Sequence, residues 1–405
     1  MKTLFANRWF LASFFYLSSA LNYLDRLVLG AMAPHLMKVL DFSLPDYGLL
    51  QRNFYIVYSV CSPLAGFMLD KLGLNRGVAV AIAVWSTAGI LRGYVDSYWG
   101  LMVASCMLAA GEAAGIPATA KFAQQFLKPA ERAIGAGMSQ LGLAVGSFAA
   151  PLFVNYFVTQ GQWQGAFVVP GMLGFAWIPL WLWMSRGKGA PAPTAIASEK
   201  DWKAVLRDPG MWGLYAGNIV GMVPYALWSG AWTTIFFTQT HHLSMIDANA
   251  YGKWTHLVNY PAAMLGGILS MLLVKRGWRP ANARLHICGL VGLGQLINLW
   301  IPQAGSPLLA TIGICASYAF AGMFGVNFYT LPVDRYGHKT AAFAVSLLTS
   351  AFGVLQIFIS PWIGNMVKER GFGPVCMLAA LCPLLAYGIV RLTRPPEERA
   401  GAGLA

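Results

Sequence analysis

Apolar stretches of about 20 residues recur along nearly the whole of this 405-residue chain. A helix of that length spans the hydrocarbon core of a bilayer, and lipid admits only segments whose backbone hydrogen bonds close internally. Hydrophobic residues make up 57% of the chain. Charged residues make up only 11%, far below the roughly 25% that is usual in soluble domains. The pattern predicts an all-α integral membrane protein that is surrounded by a lipid bilayer.

The apolar stretches number twelve, and one long polar segment divides them into two groups of six. Residues 186–209 form this segment, which is rich in proline, glycine and alanine. We therefore predict an N-terminal six-helix bundle at 1–185, a cytoplasmic linker at 186–209 and a C-terminal six-helix bundle at 210–405. The expected spans are residues 9–34, 48–69, 76–95, 98–124, 132–158, 165–185, 210–238, 250–274, 284–302, 306–331, 340–366 and 373–392.

Basic residues are unevenly divided between the two sides of this predicted membrane protein. Of the 28 lysines and arginines, 21 fall in loops or tails on the side of the N-terminus, four fall opposite, and Arg26, Arg52 and Arg92 fall within spans. Because short cytoplasmic loops are enriched in basic residues, the asymmetry predicts a multi-pass inner-membrane protein with both termini in the cytoplasm. It also accounts for the net charge of +13 without a nucleic-acid partner.

The chain carries no pattern typical of an enzyme. The six cysteines lie singly in apolar stretches, without a CxxC motif or a His/Cys cluster, so we expect neither disulfides nor a metal site. A nucleophile elbow and an HExxH motif are both missing from the sequence. These observations predict a protein that is not an enzyme and holds no cofactor.

The first span carries Asn22-Tyr23-Leu24-Asp25-Arg26, an acid beside a base within an apolar helix. Each charge at the bilayer centre costs roughly 2.5–3.5 kcal/mol, so such residues persist where they face a bundle interior or a wet cavity. Neighbouring side chains on a helix point about 100° apart, so Asp25 and Arg26 cannot simply neutralise each other. A proton carrier beside an anion-binding residue suits a coupled transporter. The alternative is a static link between helices, which rarely offsets the burial of two charges.

Short motifs recur at corresponding places in the two halves. Residues 129–132 (Pro-Ala-Glu-Arg) follow span 4, and residues 332–335 (Pro-Val-Asp-Arg) follow span 10. Such repetition is typical of parallel repeats about an axis along the membrane normal. A separate loop motif lies between spans 2 and 3 and consists of Gly66, Asp70, Lys71, Gly73 and Arg76.

This loop motif resembles the signature loop of the major facilitator superfamily. The Asn22-to-Arg26 motif, Gly111-Glu112-Ala113 with Pro117, and the motif at 129–132 resemble the anion:cation symporter branch, which includes bacterial hexuronate and galactonate permeases. The resemblance covers essentially the whole chain. It implies the major facilitator fold, in which twelve transmembrane helices form two pseudo-symmetric six-helix bundles.

The resemblance also implies roles for individual residues. Arg26 would bind a substrate carboxylate, with Tyr23 and Tyr58 beside the substrate. Asp25 and Glu112 would carry protons, although Glu112 is alternatively a protonated core residue without a part in transport. The signature loop, together with Glu131 and Arg132, would form a conformational latch; the alternative is a basic turn on the cytoplasmic side. These latch residues are Gly66, Asp70, Lys71, Gly73, Arg76, Glu131 and Arg132.

One position departs from the family pattern. The family has an arginine seven residues before the helix-4 glutamate, where this chain has Ser105. A serine offers no bidentate carboxylate recognition, so the usual sugar-acid substrate is less secure here. Arg52, near the start of span 2, is a candidate for the missing positive charge; its alternative is an anchor to periplasmic water or a lipid phosphate. Arg52 lies about 120° from Tyr58 around the helix.

Other polar residues fall on the C-terminal half. In span 7, Asn218, Tyr225, Ser229 and Trp232 follow at steps of seven, four and three, which predicts one shared face for a hydroxylated ligand. Packing between helices is the alternative for this stripe. Asn327 and Gln356 are further candidates for the same cavity, or alternatively core residues. His256 is a candidate for titration near neutral pH, with a neutral, hydrogen-bonded core histidine as the alternative. We expect Arg92 to extend to the membrane interface.

Together these features predict a secondary active transporter that takes up a small organic anion, such as a hexuronate, an aldonate or another carboxylate. Uptake would be proton-coupled symport by alternating access, with the proton gradient as the energy source. The expected partners are the anionic substrate, protons and lipid, and we expect a monomer. An exporter or uncoupled facilitator of a neutral metabolite or drug is the main alternative, favoured by Ser105. A transporter-derived membrane sensor is a second alternative.

Overall fold

The computed structural model describes residues 8–128, 131–186 and 199–394, which are almost entirely helical. No β-strand occurs within these ranges, and the predicted all-α class is confirmed. Two short 3-10 helices, Gln295–Leu299 and Ile301–Gln303, follow the α-helix Pro280–Gly294. The α-helices are α1 (Arg8–Val39), α2 (Leu44–Leu72), α3 (Leu74–Arg92), α4 (Tyr98–Glu112), α5 (Gly115–Phe126), α6 (Arg132–Thr159), α7 (Gly165–Met184), α8 (Glu199–Arg207), α9 (Pro209–Gly221), α10 (Val223–Trp228), α11 (Ala231–Thr240), α12 (Met245–Lys275), α13 (Pro280–Gly294), α14 (Pro307–Arg370) and α15 (Gly373–Thr393).

The number of spans agrees with the sequence prediction. In the described part of the chain, nine helical stretches are long and apolar enough to cross a membrane, and the bent segment from Pro209 to Thr240 makes a tenth. Helices α1 and α2 have 32 and 29 residues, which is also long enough, but they are more polar. Adding these two helices gives the twelve predicted spans.

Local sequence signals explain where several helices begin. The side chain of Ser43 accepts a hydrogen bond from the backbone N–H of Asp46, and the Asp46 carboxylate accepts one from the N–H of Ser43. Pro45 lies in the first turn of α2, where its missing N–H costs no helical hydrogen bond. Ser97 and Ser306 cap α4 and α14 through their hydroxyl groups. These three spans therefore start where a capping serine interrupts the apolar sequence.

The prediction of a continuous span 7 is wrong. Three helices, α9, α10 and α11, replace it, and the chain bends by 59° between Trp228 and Ala231. Gly230 at this break has φ −148° and ψ −144°, which is not helical. Because the helix is interrupted, the spacing of Asn218, Tyr225 and Trp232 does not place these residues on one helix face.

One predicted connection differs from the structure, and another is described only in part. The linker at 186–209 contains the helix α8, and the rest of it between 187 and 198 lies outside the described residues. The loop expected between spans 10 and 11 is helical, because α14 runs through residues 332–339 without interruption. Polar and charged residues at the end of a span are compatible with a helix that continues beyond the membrane. The end of the apolar stretch therefore does not mark the end of this helix.

By their contacts, the residues form two compact units. Unit 1 comprises Met1–Thr194 with Ser244–Lys253, and unit 2 comprises Ala195–Leu243 with Trp254–Ala405. Helix α12 thus contributes its first turns to unit 1 and the remainder to unit 2. The predicted division into bundles at 1–185 and 210–405 stays a prediction.

Unit 1 is built on aromatic packing. The rings of Phe15 and Phe122 stack with centroids 4.3 Å apart, and Trp181 lies 5.2 Å from Phe15. On the neighbouring helix α6, a Cβ at Gly146 would collide with the backbone of Ala20, so α1 and α6 pack main chain against main chain there. These contacts hold α1, and with it the Asp25-Arg26 pair, within the unit.

Unit 2 contains an ionic cluster at the start of α9. Arg335 and Tyr336 donate hydrogen bonds of 2.8 and 2.7 Å to Asp208, which also caps α9 by accepting from the N–H of Gly210. Burial raises the pKa of Asp208, but these hydrogen bonds outweigh it and hold the pKa below its usual value. The cluster therefore stabilises unit 2 above the ordinary titration range of aspartate, and this contribution is lost as pH falls through the lowered pKa.

Candidate functional site

Arg26 and Glu112 form an ion pair inside unit 1. Arg26 on α1 donates from Nε and Nη2 to the same oxygen of Glu112, Oε2, and both distances are 2.7 Å. The two residues are 86 positions apart in sequence. The structure therefore brings together the residues predicted to bind an anion and to carry a proton.

Access to this pair is one-sided. The side chain of Arg26 retains 18% of its surface, whereas that of Glu112 is 0% exposed. The guanidinium carbon of Arg26 lies 5.0 Å from the ring centroid of Tyr58 and 5.3 Å from those of Tyr23 and Phe54. Cation–π contacts of this kind hold a guanidinium in place while leaving its edge available for hydrogen bonds. Tyr23 and Tyr58 lie beside Arg26 as predicted by the resemblance, and Phe54 is an aromatic neighbour that the sequence did not indicate.

Each of the two predicted proton carriers has one unpartnered oxygen. Glu112 Oε1 and Asp25 Oδ2 are buried and find no hydrogen-bond partner among the described residues. Asp25 is 2% exposed and Glu112 is 1% exposed. Both acids are therefore enclosed within unit 1, and each has an oxygen that a proton can occupy without displacing an existing hydrogen bond.

The prediction that Arg92 extends to the membrane interface is wrong. Arg92 is 0% exposed, and its Nη1 donates a 3.1 Å hydrogen bond to the backbone oxygen of Asp25. Its guanidinium carbon lies 4.7 Å from the ring centroid of Phe167 on α7. An arginine at a span end can turn inward when the neighbouring helices offer a carbonyl and an aromatic face, and here α1 and α7 offer both.

The predicted span 4 is interrupted directly after Glu112. Helix α4 ends at that residue and α5 begins at Gly115, where Pro117 lacks the N–H that would bond to the carbonyl of Ala113. A Cβ at Gly111 would lie 2.7 Å from the backbone nitrogen of Trp85, so Gly111 is required for close packing of α4 against α3. A Cβ at Gly115 would meet nothing within 4 Å. Glu112 is therefore preceded by a closely packed glycine, Gly111, and followed directly by a break in the helix.

Ser105 and Arg52 occupy different environments. Ser105 is 0% exposed, and its hydroxyl has no hydrogen-bond partner in the described ranges. Arg52 is half-buried on α2, and its Nε is likewise without a described partner. Tyr58, which contacts Arg26, lies on another face of the same helix, as the helical geometry predicts. The replacement of the family arginine by Arg52 stays a prediction.

Two polar candidates of unit 2, Asn218 and Asn327, lie on different helices. Asn218 is 0% exposed and donates to the backbone oxygen of Leu348 and to Tyr329. Asn327 is also 0% exposed and donates to two backbone oxygens, those of Gly266 and Met323. The amide hydrogens of both side chains are thus engaged in the packing of unit 2.

Tyr318 of unit 2 contacts the rings of two candidate residues, Tyr225 and His256. The rings of Tyr225 and Tyr318 lie 5.2 Å apart, and His256 contacts Tyr318 edge to face at 6.3 Å. Gln356 is buried and accepts a hydrogen bond from Ser360. Trp232 is 3% exposed on α11, beyond the 59° bend.

The predicted latch is described only in part. Gly73 has φ +77°, a conformation that favours glycine, and it is the single residue between α2 and α3. Gly66 has open space around it, and Lys71 and Arg76 are exposed. Glu131 accepts a hydrogen bond from Arg8 of the same unit. The side chains of Asp70 and Arg132 lie outside the described residues, so the latch stays a prediction.

Comparison with known proteins decides the family. A family model for the Major Facilitator Superfamily matches residues 15–361, which is most of the chain. The chain belongs to the Major Facilitator Superfamily. It is therefore a multi-pass membrane transporter and not an enzyme, as the sequence predicted.

Known relatives place this Major Facilitator Superfamily member beside sugar-acid carriers. The hexuronate transporter of Escherichia coli (strain K12) is 25% identical over 412 residues, covering 96% of this chain and 94% of that protein. The galacturonate transporter of Dickeya chrysanthemi is 25% identical over 333 residues, covering 77% of this chain and 95% of that protein. The predicted resemblance to hexuronate permeases is confirmed.

A solved structure supports the fold. The crystal structure of a bacterial homologue of the human lysosomal transporter Spinster superposes with a TM-score of 0.72 and 20% identity, covering 95% of each chain. At this identity the likeness shows the fold alone. The predicted major facilitator architecture is thus confirmed by family and by structure.

Proposed function

We propose that this transporter takes up a sugar acid, such as a hexuronate or an aldonate, together with protons by alternating access. The observation that carries the proposal is the one-sided Arg26–Glu112 pair, in which the arginine is partly exposed and the acid is enclosed. The relatives named as hexuronate and galacturonate transporters support the substrate class.

The geometry suggests how proton and substrate would be linked. Glu112 already occupies the carboxylate position on Arg26, so a substrate carboxylate must compete with it. A proton on Glu112 removes the charge that holds Arg26, and the guanidinium then becomes available for a charge-assisted bond to the substrate. Proton uptake and anion binding would therefore favour each other, which is the thermodynamic requirement for coupling.

Uptake by purified protein in proteoliposomes tests this proposal. We expect accumulation of D-glucuronate, D-galacturonate or D-galactonate above equilibrium when the outside is more acidic than the lumen. The accumulation should disappear when a protonophore collapses the gradient, and protein-free liposomes serve as the control. Uptake of the neutral parent sugars without uptake of the acids would contradict the proposal and favour the facilitator alternative, which Ser105 suggests.

From the distribution of its basic residues, we further propose that the protein lies in the inner membrane with both termini in the cytoplasm. That it is a monomer stays a separate proposal. Reporters fused after residue 190 or at the C-terminus should read cytoplasmic, and a reporter at residue 243 should read periplasmic. Paired alkaline phosphatase and fluorescent-protein fusions give opposite signals on the two sides and control for expression. A periplasmic signal at 190 would contradict the arrangement of six spans on each side of the linker.

A further inference from the structure

Arg92 is a buried cation with unused hydrogen-bonding capacity. Its Nη1 donates to the backbone oxygen of Asp25, whereas Nε and Nη2 have no partner in the described part of the chain. The face of the Phe167 ring covers the guanidinium group. A buried guanidinium with unused donors is unfavourable unless a negative charge lies near it.

Asp25 supplies the matching acceptor. Its Oδ2 is buried and likewise unpartnered among the described residues. Its Oδ1 packs over Gly89, where a Cβ would lie 3.2 Å from it. Gly89 is one helical turn before Arg92 on α3, so the carboxylate lies over the same face of α3 as the arginine. Two unused donors and one unused acceptor therefore lie on residues that already share a hydrogen bond.

Few other charged groups face Asp25. Glu112 interacts with it electrostatically but is held by Arg26. Helix α7 and residues 137–159 of α6 contain no charged residue, and α2 contributes Arg52 within its span. Tyr47 of α2 lies near Arg92. Arg92 is thus the cation of α3 that can balance Asp25.

We propose that Arg92 is the fixed counter-charge of Asp25, a positioning residue that links the protonation of Asp25 to anion binding at Arg26. This inference rests on the proposed proton-coupled function. With Asp25 and Glu112 both ionised, the two acids and the two arginines carry no net charge. Protonation of Asp25 leaves the charge of Arg92 unbalanced, and this added positive charge attracts an anionic substrate toward Arg26. Arg92 acts through Asp25 and does not touch the substrate.

The pH titration of Asp25 tests this role without a substrate. In purified full-length protein, infrared difference spectra should contain a protonated-carboxyl band that Asp25→Asn removes. In Arg92→Gln, the midpoint of this band should move to higher pH by ~1–3 units, the usual effect of losing a nearby opposite charge. Arg92→Lys should restore most of the shift. An unmoved midpoint, or the absence of any band that depends on Asp25, would overturn the inference.

Thermal unfolding provides a second measurement in case Arg92→Gln is poorly folded. If the two charges balance each other, the double variant Asp25→Asn/Arg92→Gln should unfold at a higher temperature than Arg92→Gln alone. Additive losses in the double variant would contradict the pairing. Arg391→Gln removes an exposed arginine of α15 and is the matched control for loss of one positive charge. Because neither measurement involves transport, failure of sugar-acid uptake and failure of this inference give different results.

Discussion

Replacing Asp25 by Asn, or Glu112 by Gln, is expected to abolish accumulation driven by a proton gradient. Both acids are enclosed in unit 1, and each has an oxygen without a described partner that a proton can occupy. An amide mimics the protonated acid permanently, so the carrier can no longer release its proton inside. Uptake against a concentration gradient should fall to the protein-free background in proteoliposomes with an imposed pH gradient.

Substrate exchange separates a loss of coupling from a loss of folding. In Glu112→Gln, the charge that competes for Arg26 is gone, so exchange of labelled D-glucuronate at equal pH should persist, with an affinity at least equal to that of the unmodified protein. Glu369→Gln, which changes an exposed acid at the end of α14, is the matched control and should accumulate substrate normally. Undiminished uphill uptake in both Asp25→Asn and Glu112→Gln would rule out these acids as proton carriers.

Replacing Arg26 by Ala is expected to weaken substrate binding strongly. A charge-assisted hydrogen bond contributes roughly 1.5–3 kcal/mol, so the dissociation constant should rise about 10–150-fold. The variant also leaves Glu112 buried without its partner, and breaking a buried ion pair costs about 3–5 kcal/mol of stability. Affinity measured by thermal shift or scintillation proximity must therefore be compared in a background that removes this second effect.

The background Glu112→Gln provides that comparison. Arg26→Ala/Glu112→Gln should regain most of the thermal stability lost in Arg26→Ala, while substrate binding stays weak. Arg26→Lys keeps the charge but not the planar fork, so we expect intermediate affinity. Binding of D-glucuronate that is unchanged in the double variant would show that the carboxylate is recognised elsewhere.

Much of the fold could be predicted because bilayer thickness fixes span length. Hydropathy located the twelve spans, and motifs indicated the family. Hydropathy could not locate helix breaks, since Gly230 and Pro117 interrupt helices without lowering the apolar content of their windows. The stripe from Asn218 to Trp232 was predicted on the assumption of a continuous helix, and the bend at 229–230 removes that assumption.

The sequence predicts which residues form the site better than it predicts which of them pair with each other. The resemblance indicated Arg26 and Glu112, but their separation of 86 residues left the ion pair unknown until the helices were packed. The sequence shows only that Arg92 lies near the end of a span, and this position predicts a side chain at the membrane interface. Whether such an arginine turns outward or inward depends on Phe167 and on the carbonyl of Asp25, which come from other helices.

The buried charges of the membrane-spanning stretches all belong to one unit. In the described part of the chain these are Asp25, Arg92 and Glu112, with the partly exposed Arg26 beside them. The buried polar residues of the membrane-spanning stretches of unit 2 are amides, hydroxyls and His256. The proposed coupling to protons would then depend on residues that all lie in unit 1. Substitutions around Tyr225 and Tyr318 in unit 2 would then accumulate during evolution without altering these four charged residues.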